Sequence, residues 1–377
     1  MEVDSDVAVV GAGIVGCATA LALARRGASV TLLEAETEPG LAASGTNSGI
    51  LHTGFDSHPG ELETRLILRS AQLRDSVLEA LGLPVLRCGA LLRPIAAGDW
   101  VSVRELAANA ERNGIAVELR DDESLTVPGE SVTDPIAYTR GLAAAAQNHG
   151  AELRTSFRVG AMSDQGGSLR VEGEGNERIR SHAVVNCAGL RADEVARMGG
   201  DDSFEIYPRK GEFMVYEAPG EVLEQILLPV PSEGTKGVLV FPTVDGHVIA
   251  GPTAVDGEDK DDWTVRPQAR ELVASKASEL LPDLLGAEPV ASYAGLRPAG
   301  RGVNYLIGAS KAHPGLINVA AIRSTGLTAS LGIAEHACGL VAEQGVQLGP
   351  EQPLEPAPAS VSEEPWWKRV AEYREVA

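Results

Sequence analysis

The chain has 377 residues, of which 44% are hydrophobic, and carries a formal net charge of −21 at pH 7. This length and apolar content suffice for two domains with sizeable cores. The acidic balance argues against nucleic acid as a partner, because phosphate neutralisation needs a basic face. No run approaches the roughly 18 apolar residues of a membrane span, and the acidic first residues do not resemble a signal peptide. We therefore expect a cytoplasmic enzyme.

The first elements predicted along the chain are a buried strand, a glycine turn, a helix and a second strand. Gly11 permits a tight turn, Gly13 lets backbone approach a pyrophosphate and Gly16 lets the helix pack closely on the strand. The phosphates would lie at the helix N-terminus. Glu34, which ends the second strand, would accept hydrogen bonds from a ribose hydroxyl. An acid there disfavours a 2′-phosphate, so FAD or NAD fits better than NADP.

A segment of small and hydroxyl residues, 39–54, follows the second strand and contains a single histidine, His52. Glycine, serine, threonine and asparagine allow close approach and offer hydrogen bonds to phosphate and ribityl oxygens. An ordinary loop of this length would carry more charge. We therefore predict that this insertion lines the cofactor.

Regular elements continue to residue 202. The pattern predicts helices over 61–81, 101–113 and 192–198 and another that begins at Asp134, with strands over 88–95, 152–170, 171–180 and 183–189. The last of these strands ends in Ala188 and Gly189, small residues that mark a second place where backbone approaches the cofactor.

The remaining chain predicts a second domain and a return to the first. Runs of strand character over 203–297 predict an antiparallel sheet that faces the substrate, and a strand over 316–321 with a helix over 328–343 returns to the cofactor domain. The fold class is α/β (α+β overall): a Rossmann-like domain (1–85, 135–202, 300–347), a mainly antiparallel substrate domain (86–134, 203–299), and a linker with an amphipathic tail (348–377).

The tail and the cysteines carry weaker signals. Trp366, Val370 and Tyr373 share a helix face, which favours docking on the protein's own domain or on a subunit of a homo-oligomer over contact with a membrane surface.

The four cysteines show no CxxC spacing, so we predict reduced thiols and no metal site.

Several motifs together resemble one family over residues 7–341. The segments 47–54 with 59–60, 242–253, 293–298 and 322–330 are similar to the FAD-dependent amino-acid-oxidase (DAO) superfamily. They look most like the catalytic subunit of anaerobic glycerol-3-phosphate dehydrogenase and the L-2-hydroxyglutarate oxidases. The resemblance implies a Rossmann-like FAD-binding domain of the glutathione-reductase type. The dehydrogenase subunits usually continue into a cysteine-rich domain, whereas this sequence ends in the tryptophan tail.

The resemblance also implies where FAD is held. The Gly326 turn should direct a helix N-terminus at the edge of the flavin where negative charge grows on reduction. The implied cofactor residues are Gly11, Gly13, Ile14, Val15, Gly16, Glu34, Ala35, Ser44, Thr46, Asn47, Ser48, Val159, Ala188, Gly189, Gly326, Leu327 and Thr328.

The implied chemistry is hydride transfer from a carbon bearing a hydroxyl or an amine to the flavin. His52 is the candidate base, since histidine titrates near working pH; the alternatives are packing against the ring or a covalent link to the flavin. Arg297 and Arg323 are candidates for an anionic head group, because guanidinium binds phosphate or carboxylate in bidentate fashion. Lys210 is a third candidate.

The favoured function is oxidation of a small anionic 2-hydroxy compound such as glycerol 3-phosphate. The alternatives are an L-2-hydroxy acid or amine oxidase and, from a different class, a flavoprotein subunit that needs a partner for turnover. The electron acceptor, whether oxygen, quinone or protein, stays open.

Overall fold

The computed structural model describes residues 3–376 except 97, 176, 219–222, 232–236, 357–361 and 363. The helices are α1 (Ile14–Ala24), α2 (Leu62–Ala80), α3 (Asp99–Arg112), α4 (Pro135–Asn148), α5 (Ala192–Met198), α6 (Pro267–Leu280), α7 (Gly326–Glu343) and α8 (Trp366–Val376). The strands of the first sheet are β1 (Ser5–Val10), β2 (Val30–Leu33), β9 (Glu152–Arg154), β10 (Val159–Asp164), β11 (Leu169–Gly173), β12 (Arg178–Asn186), β19 (Leu306–Ala309) and β20 (Leu316–Ala320).

The other strands form two further sheets. The second sheet comprises β5 (Ala90–Arg93), β6 (Glu118–Leu119), β7 (Leu125–Val127), β13 (Ile206–Tyr216), β14 (Ile226–Pro229), β15 (Leu239–Pro242), β16 (Val248–Gly251), β17 (Val255–Asp256) and β18 (Ala291–Gly300). A small sheet comprises β3 (Ile50–Leu51), β4 (Val85–Leu86) and β8 (Ser131–Thr133).

The first sheet has a parallel centre. β1 lies between β2 and β12, β9 extends the sheet beyond β2, and β20 lies beside β12, all in parallel register. β1 and β2 are almost entirely buried, as expected for strands that are covered on both faces. α1 packs between α4 and α7 on one face, while β10, β11 and α5 contribute to the core on the other. This confirms the predicted Rossmann-like fold.

The second sheet is mainly antiparallel, with β5 and β14 as a parallel pair. Its longest pairing joins β13 to β18 from Ile206↔Gly300 to Val215↔Ala291. α6 covers one face of this sheet. The other face shares a core with Ile50 of the small sheet and with α8. The proposed division into two discontinuous domains stays a prediction; the two large sheets are its structural counterpart.

Most predicted helices lie within three residues of their observed bounds. The helix α6 is the exception, since 203–297 was expected to hold only strands and turns. Its buried stripe consists of Ala269, Val273, Ala277 and Leu280, and the residues between them are more exposed. The expected strand over 152–170 is also interrupted, because residues 155–158 leave the ladder between β9 and β10.

The C-terminal helix α8 docks on its own chain. Trp366 and Trp367 are buried in the core between the second sheet and the small sheet. Trp366 contacts Tyr293 edge-on, with ring centroids 5.6 Å apart. At the other end of α8, the Tyr373 hydroxyl donates to Glu36 Oε2 at 2.6 Å. Self-docking was among the predicted outcomes. No helix in the described ranges is long and apolar enough to cross a membrane.

Candidate functional site

The glycine turn after β1 is built around contacts that no side chain would permit. Gly11 has a φ of +98°, and a Cβ there would lie 2.6 Å from the Cys187 carbonyl oxygen. A Cβ at Gly16 would lie 1.8 Å from the Gly11 carbonyl oxygen. These two glycines therefore perform the turn and packing roles that their spacing predicted.

The N-terminus of α1 is prepared for an anion. Its first turn holds no acidic residue, so the positive end of the helix dipole is not neutralised. The Ile14 N–H donates to Ser44 Oγ at 2.9 Å. Because the Ser44 hydroxyl accepts this bond, its own proton remains available for a phosphate oxygen. Gly13 precedes the helix in extended conformation.

Glu34 directly follows β2 and lies partly buried beside the glycine turn. Its carboxylate accepts the Ala12 N–H at 2.7 Å and the Glu36 N–H at 2.9 Å. Burial raises the pKa of Glu34 above its ordinary value, although these backbone donors oppose the shift. The side chain is thus held rigidly at the place where a ribose hydroxyl was predicted.

A cleft of about 330 Å³ runs from Glu34 past the glycine turn to the start of α7. It gathers most of the predicted cofactor residues from segments far apart in sequence. Those in its lining are Gly11, Gly13, Ile14, Val15, Glu34, Ala35, Ser44, Asn47, Val159, Ala188, Gly189, Gly326 and Leu327.

Four predicted cofactor residues lie outside this lining. Gly16 packs against the glycine turn, and the Thr46 hydroxyl bonds backward to Ala42 O at 3.3 Å. Ser48 accepts the Ile50 N–H, and Thr328 accepts the His52 N–H at 3.1 Å. Their hydroxyls thus shape the loop, and direct cofactor contact by them stays a prediction.

One wall of the cleft comes from a segment that the sequence did not identify. Lys260, Asp261 and Trp263 line it. Lys260 Nζ lies 2.7 Å from Asp193 Oδ1, and Asp261 pairs with Arg191 at 2.6 Å. From its sequence, a loop with this many charged residues would be predicted to be solvent-exposed. In the structure, its ion pairs to Arg191 and to Asp193 of α5 hold it against the cleft.

Arg297 is a partly buried cation that has no carboxylate partner among the described residues. Its Nη2 donates to the Thr253 carbonyl oxygen at 2.6 Å. The guanidinium lies over Gly211 of β13, where a Cβ would come within 1.9 Å of it. Burial, with repulsion from Arg209 and Arg323, lowers the pKa of Arg297 to about 10. The group stays charged at neutral pH and is left to bind an anion.

Arg297 lies on the sheet face that meets the cofactor loop. Gly295, two residues earlier on β18, is so close to that loop that a Cβ would lie 2.7 Å from Thr46 O. Pro298, the next residue, lines the cleft. Arg297 itself is not among the residues that line the cleft, but it lies close enough to Arg323, which does line it, for the charge of Arg323 to lower the pKa of Arg297.

Arg323 enters the cleft from the loop before α7. Its φ of +58°, like the +56° of Ala321, is uncommon for residues other than glycine. The Arg323 N–H donates to Pro298 O at 3.1 Å, which ties this loop to β18. Its side chain is exposed and makes no hydrogen bond to the rest of the described chain. Strained backbone of this kind clusters at functional sites.

Lys210 is placed elsewhere. Neighbouring residues of a strand point to opposite faces, so Lys210 faces away from Arg297 and toward the side covered by α6. Its Nζ lies 2.6 Å from Asp262 Oδ2 and donates to Thr264 O at 3.1 Å. Lys210 thus serves an ion pair, and the structure does not bring it to the arginines.

His52 follows β3, which pairs with β8 so that Leu51 is opposite Ser131. This register places the next residue beside Glu130, a fully buried acid that the sequence did not identify. His52 Nδ1 lies 2.8 Å from Glu130 Oε2. The two residues are 78 positions apart, and a lone acid in a turn gives no sequence signal for such a contact.

The comparisons with known proteins fit this geometry. The family model of DAO, FAD dependent oxidoreductases, matches residues 6–340. The chain belongs to this family. FAD is therefore its cofactor, and the protein is an FAD-dependent oxidoreductase.

Individual relatives of this DAO-family protein cover most of its length. A glycerol 3-phosphate dehydrogenase of Caloramator mitchellensis is 28% identical over 346 residues, 87% of this chain and 72% of that protein. L-2-hydroxyglutarate dehydrogenase of Escherichia coli is 26% identical over 269 residues, 66% of this chain and 64% of that protein. The solved L-alpha-glycerophosphate oxidase of Mycoplasma pneumoniae, with FAD bound, superimposes with a TM-score of 0.88 at 26% identity, covering 97% of this chain and all of that one.

The cleft has the features that FAD requires. It extends from Glu34 past the glycine turn to the first turn of α7. That first turn holds no acidic residue. A Cβ added to Gly189 would meet no atom within 4 Å, so the backbone there faces open space. An extended dinucleotide with its phosphates at one helix N-terminus suits this arrangement.

Proposed function

We propose that this flavoprotein oxidises the secondary hydroxyl of a small anionic substrate, with glycerol 3-phosphate as the favoured compound. The observation that carries the proposal is Arg297: a partly buried guanidinium that donates its hydrogen bond to a backbone carbonyl and lies near Arg323, which enters the cleft. A buried charge without a counter-ion is costly. A substrate anion would supply the missing partner.

The number of cations favours phosphate. Arg209 is opposite Arg297 in the strand register, and its Nη1 lies 2.9 Å from Asp256 Oδ1. Arg323 adds a further positive charge on the cleft side. Since Asp256 balances Arg209, Arg297 and Arg323 leave two positive charges, which a dianion balances better than a single carboxylate, and guanidinium forks match phosphate oxygens. The two glycerol-phosphate relatives support the same substrate class.

We assign the catalytic roles as follows. Bound FAD supplies the acceptor for the hydride that leaves the carbinol carbon. Arg297 and Arg323 bind the anionic head and orient that carbon. His52 Nε2, which has no hydrogen-bond partner within the described residues, takes the hydroxyl proton as the carbonyl forms. The helix α7 directs its positive end at the cleft, where it favours added negative charge.

A second candidate is an L-2-hydroxy acid with an additional carboxylate. The L-2-hydroxyglutarate dehydrogenases among the relatives favour it, and two separate guanidinium groups could each bind one carboxylate. The electron acceptor and the cellular location stay predictions, with oxygen, a quinone or a protein as acceptors to be tested.

Anaerobic stopped-flow reduction of the bound flavin tests the proposal. The panel is glycerol 3-phosphate, glycerol, L-2-hydroxyglutarate, L-lactate and glycine. We expect rapid bleaching by glycerol 3-phosphate and slow bleaching by glycerol, which presents the same hydroxyl without the anion. Faster bleaching by L-2-hydroxyglutarate would instead support the second candidate, an L-2-hydroxy acid, as the substrate. Bleaching by none of the panel, with flavin that dithionite reduces, would contradict both and point to a subunit that needs a partner.

A further inference from the structure

We propose that Glu130 is a positioning residue that fixes His52 in the Nδ1–H tautomer, so that Nε2 carries the free lone pair that removes the substrate proton. This inference rests on the proposed function, because it assigns the means by which the proposed base is set. Its structural basis is independent of which hydroxy compound the enzyme uses.

Both oxygens of the Glu130 carboxylate have hydrogen-bond partners. Oε1 accepts the Thr53 N–H at 2.6 Å and the Thr53 hydroxyl at 2.8 Å. Oε2 lies 2.8 Å from His52 Nδ1. The side chain of Glu130 is fully buried, whereas 16% of the His52 side chain is exposed. The carboxylate is therefore enclosed and the imidazole retains an open edge.

The charge state of Glu130 sets the direction of the bond to His52. Burial raises the pKa of Glu130, but the interaction with His52 and the donors of Thr53 outweigh it, so the pKa lies below its ordinary value of 4.5. At neutral pH Glu130 is an ionised acceptor without a proton to donate. His52 Nδ1 must then be the donor, which leaves Nε2 unprotonated in the neutral ring.

The backbone around His52 is also held. Its N–H donates to Thr328 Oγ1 at 3.1 Å, and its carbonyl accepts Arg74 Nη1 at 3.2 Å. Arg74 is buried, and its pKa is lowered by that burial. With ring and backbone both fixed, the remaining freedom is the placement of the ring proton, which Glu130 decides.

Glu130→Gln separates this role from simple packing. The Thr53 N–H and hydroxyl both need an acceptor, so the amide oxygen will face Thr53 and the amide NH₂ will face His52 Nδ1. The donor and acceptor roles at Nδ1 are then reversed, and the ring must place its proton on Nε2. The substitution changes neither the size nor the hydrogen bonds at Thr53, but it removes the lone pair that acts as base.

The experiment uses the FAD-loaded full chain with ¹⁵N-labelled histidine, and His52→Asn identifies the His52 signals. Long-range ¹H–¹⁵N spectra at neutral pH should show Nδ1–H for His52 in the wild type and Nε2–H in Glu130→Gln. Flavin reduction by substrate should slow by about 10²- to 10⁴-fold in Glu130→Gln, the range that a general base contributes. The Kd of a non-reactive anion competitor should not change.

Two variants complete the test. Glu130→Asp keeps the carboxylate and should retain the Nδ1–H tautomer, with reduction faster than in Glu130→Gln. Asp201→Asn is the matched control: its carboxylate is also buried, but it accepts from Asn318 at 3.0 Å rather than from a histidine. We expect this control to keep the wild-type tautomer and reduction rate.

The proposal is overturned if wild-type His52 carries its proton on Nε2, or if Glu130→Gln keeps Nδ1–H. In the second case a slower reduction would reflect only structural damage. The tautomer measurement needs no substrate, so its failure is distinguishable from failure of the proposed function, which would show as a wild-type flavin that no hydroxy compound reduces.

Discussion

The two faces of the β13–β18 pair differ in whether their charged side chains have partners of opposite charge within the chain. On the face that meets the cofactor loop, the Arg297 guanidinium donates to a backbone carbonyl oxygen. On the face covered by α6, Glu212 is fully buried and pairs with Arg266 at 2.6 Å, while Lys210 pairs with Asp262 at 2.6 Å. One face has balanced its charges within the chain; the other leaves a cation for a ligand.

The difference shows how alternation along a strand separates stability from function. Residues 209 and 211 share one face, and 210 and 212 share the other. Gly211 supplies room for the Arg297 guanidinium on the first face. On the second face, the pairing of Glu212 with Arg266 anchors the start of α6. We expect substitutions on the first face to change substrate binding and those on the second to change unfolding.

Arg297→Met should have the largest effect. Loss of a buried charge that pairs with substrate costs about 2–5 kcal/mol of transition-state binding, or about 30- to 5,000-fold in kcat/KM for an anionic substrate. The free energy of unfolding should stay the same or rise, because a partly buried cation without a counter-ion is removed. Steady-state kinetics with glycerol 3-phosphate and with glycerol are the measurement. An equal loss for both compounds would show that Arg297 does not bind the anion.

Glu212→Gln should have the second-largest effect, and this effect should be on stability rather than on activity. It removes charge-assisted bonds to Arg266 from a buried carboxylate, at a cost of about 2 kcal/mol in the free energy of unfolding. Denaturant titration measures this, and the rate of flavin reduction should remain near that of the wild type. A fall in that rate at unchanged stability would contradict the separation of the two faces.

The stability gap between wild type and Glu212→Gln should depend on pH in a defined direction. Despite burial, the bonds and charge of Arg266 hold the pKa of Glu212 below its ordinary value of 4.5. A depressed pKa contributes stability above the unfolded-state pKa, and this is lost as pH falls through the folded-state value. Melting curves should therefore show a full gap at pH 7 that shrinks below about pH 4.5. A gap that is constant down to pH 3 would refute this.

Arg323→Ala should have a smaller effect than Arg297→Met. Its side chain is exposed, so water screens its interaction with a substrate anion, and we expect about 1 kcal/mol, or roughly fivefold in KM. The effect should weaken as salt is raised. A loss as large as that of Arg297→Met would mean that substrate binding buries Arg323.

Lys210→Met should have the smallest effect. It is the matched control for Arg297→Met, since it removes a cation from the same strand pair on the opposite face. We expect a change in unfolding free energy within about 1 kcal/mol, because Asp262 is partly exposed, and unchanged kcat/KM for anionic substrates. A selective loss with glycerol 3-phosphate would restore Lys210 as a substrate contact.

The sequence by itself determined the cofactor half of this protein. The roles of Gly11 and Gly16 could be predicted because a glycine turn between a strand and a helix encodes its geometry locally, through backbone conformation and the absence of Cβ. Glu34 followed from its distance along the chain, and the family resemblance implied the other predicted residues of the cleft.

Tertiary structure decided the substrate half. Glu130 meets His52 only because β3 pairs with β8 in one register, and Lys260 reaches the cleft only through ion pairs to α5. Lys210 and Arg297 are both candidate anion-binding cations in the sequence, yet the register of β13 and β18 places them on opposite faces. Contacts between distant segments depend on strand pairing and helix packing, which local propensity and spacing do not encode.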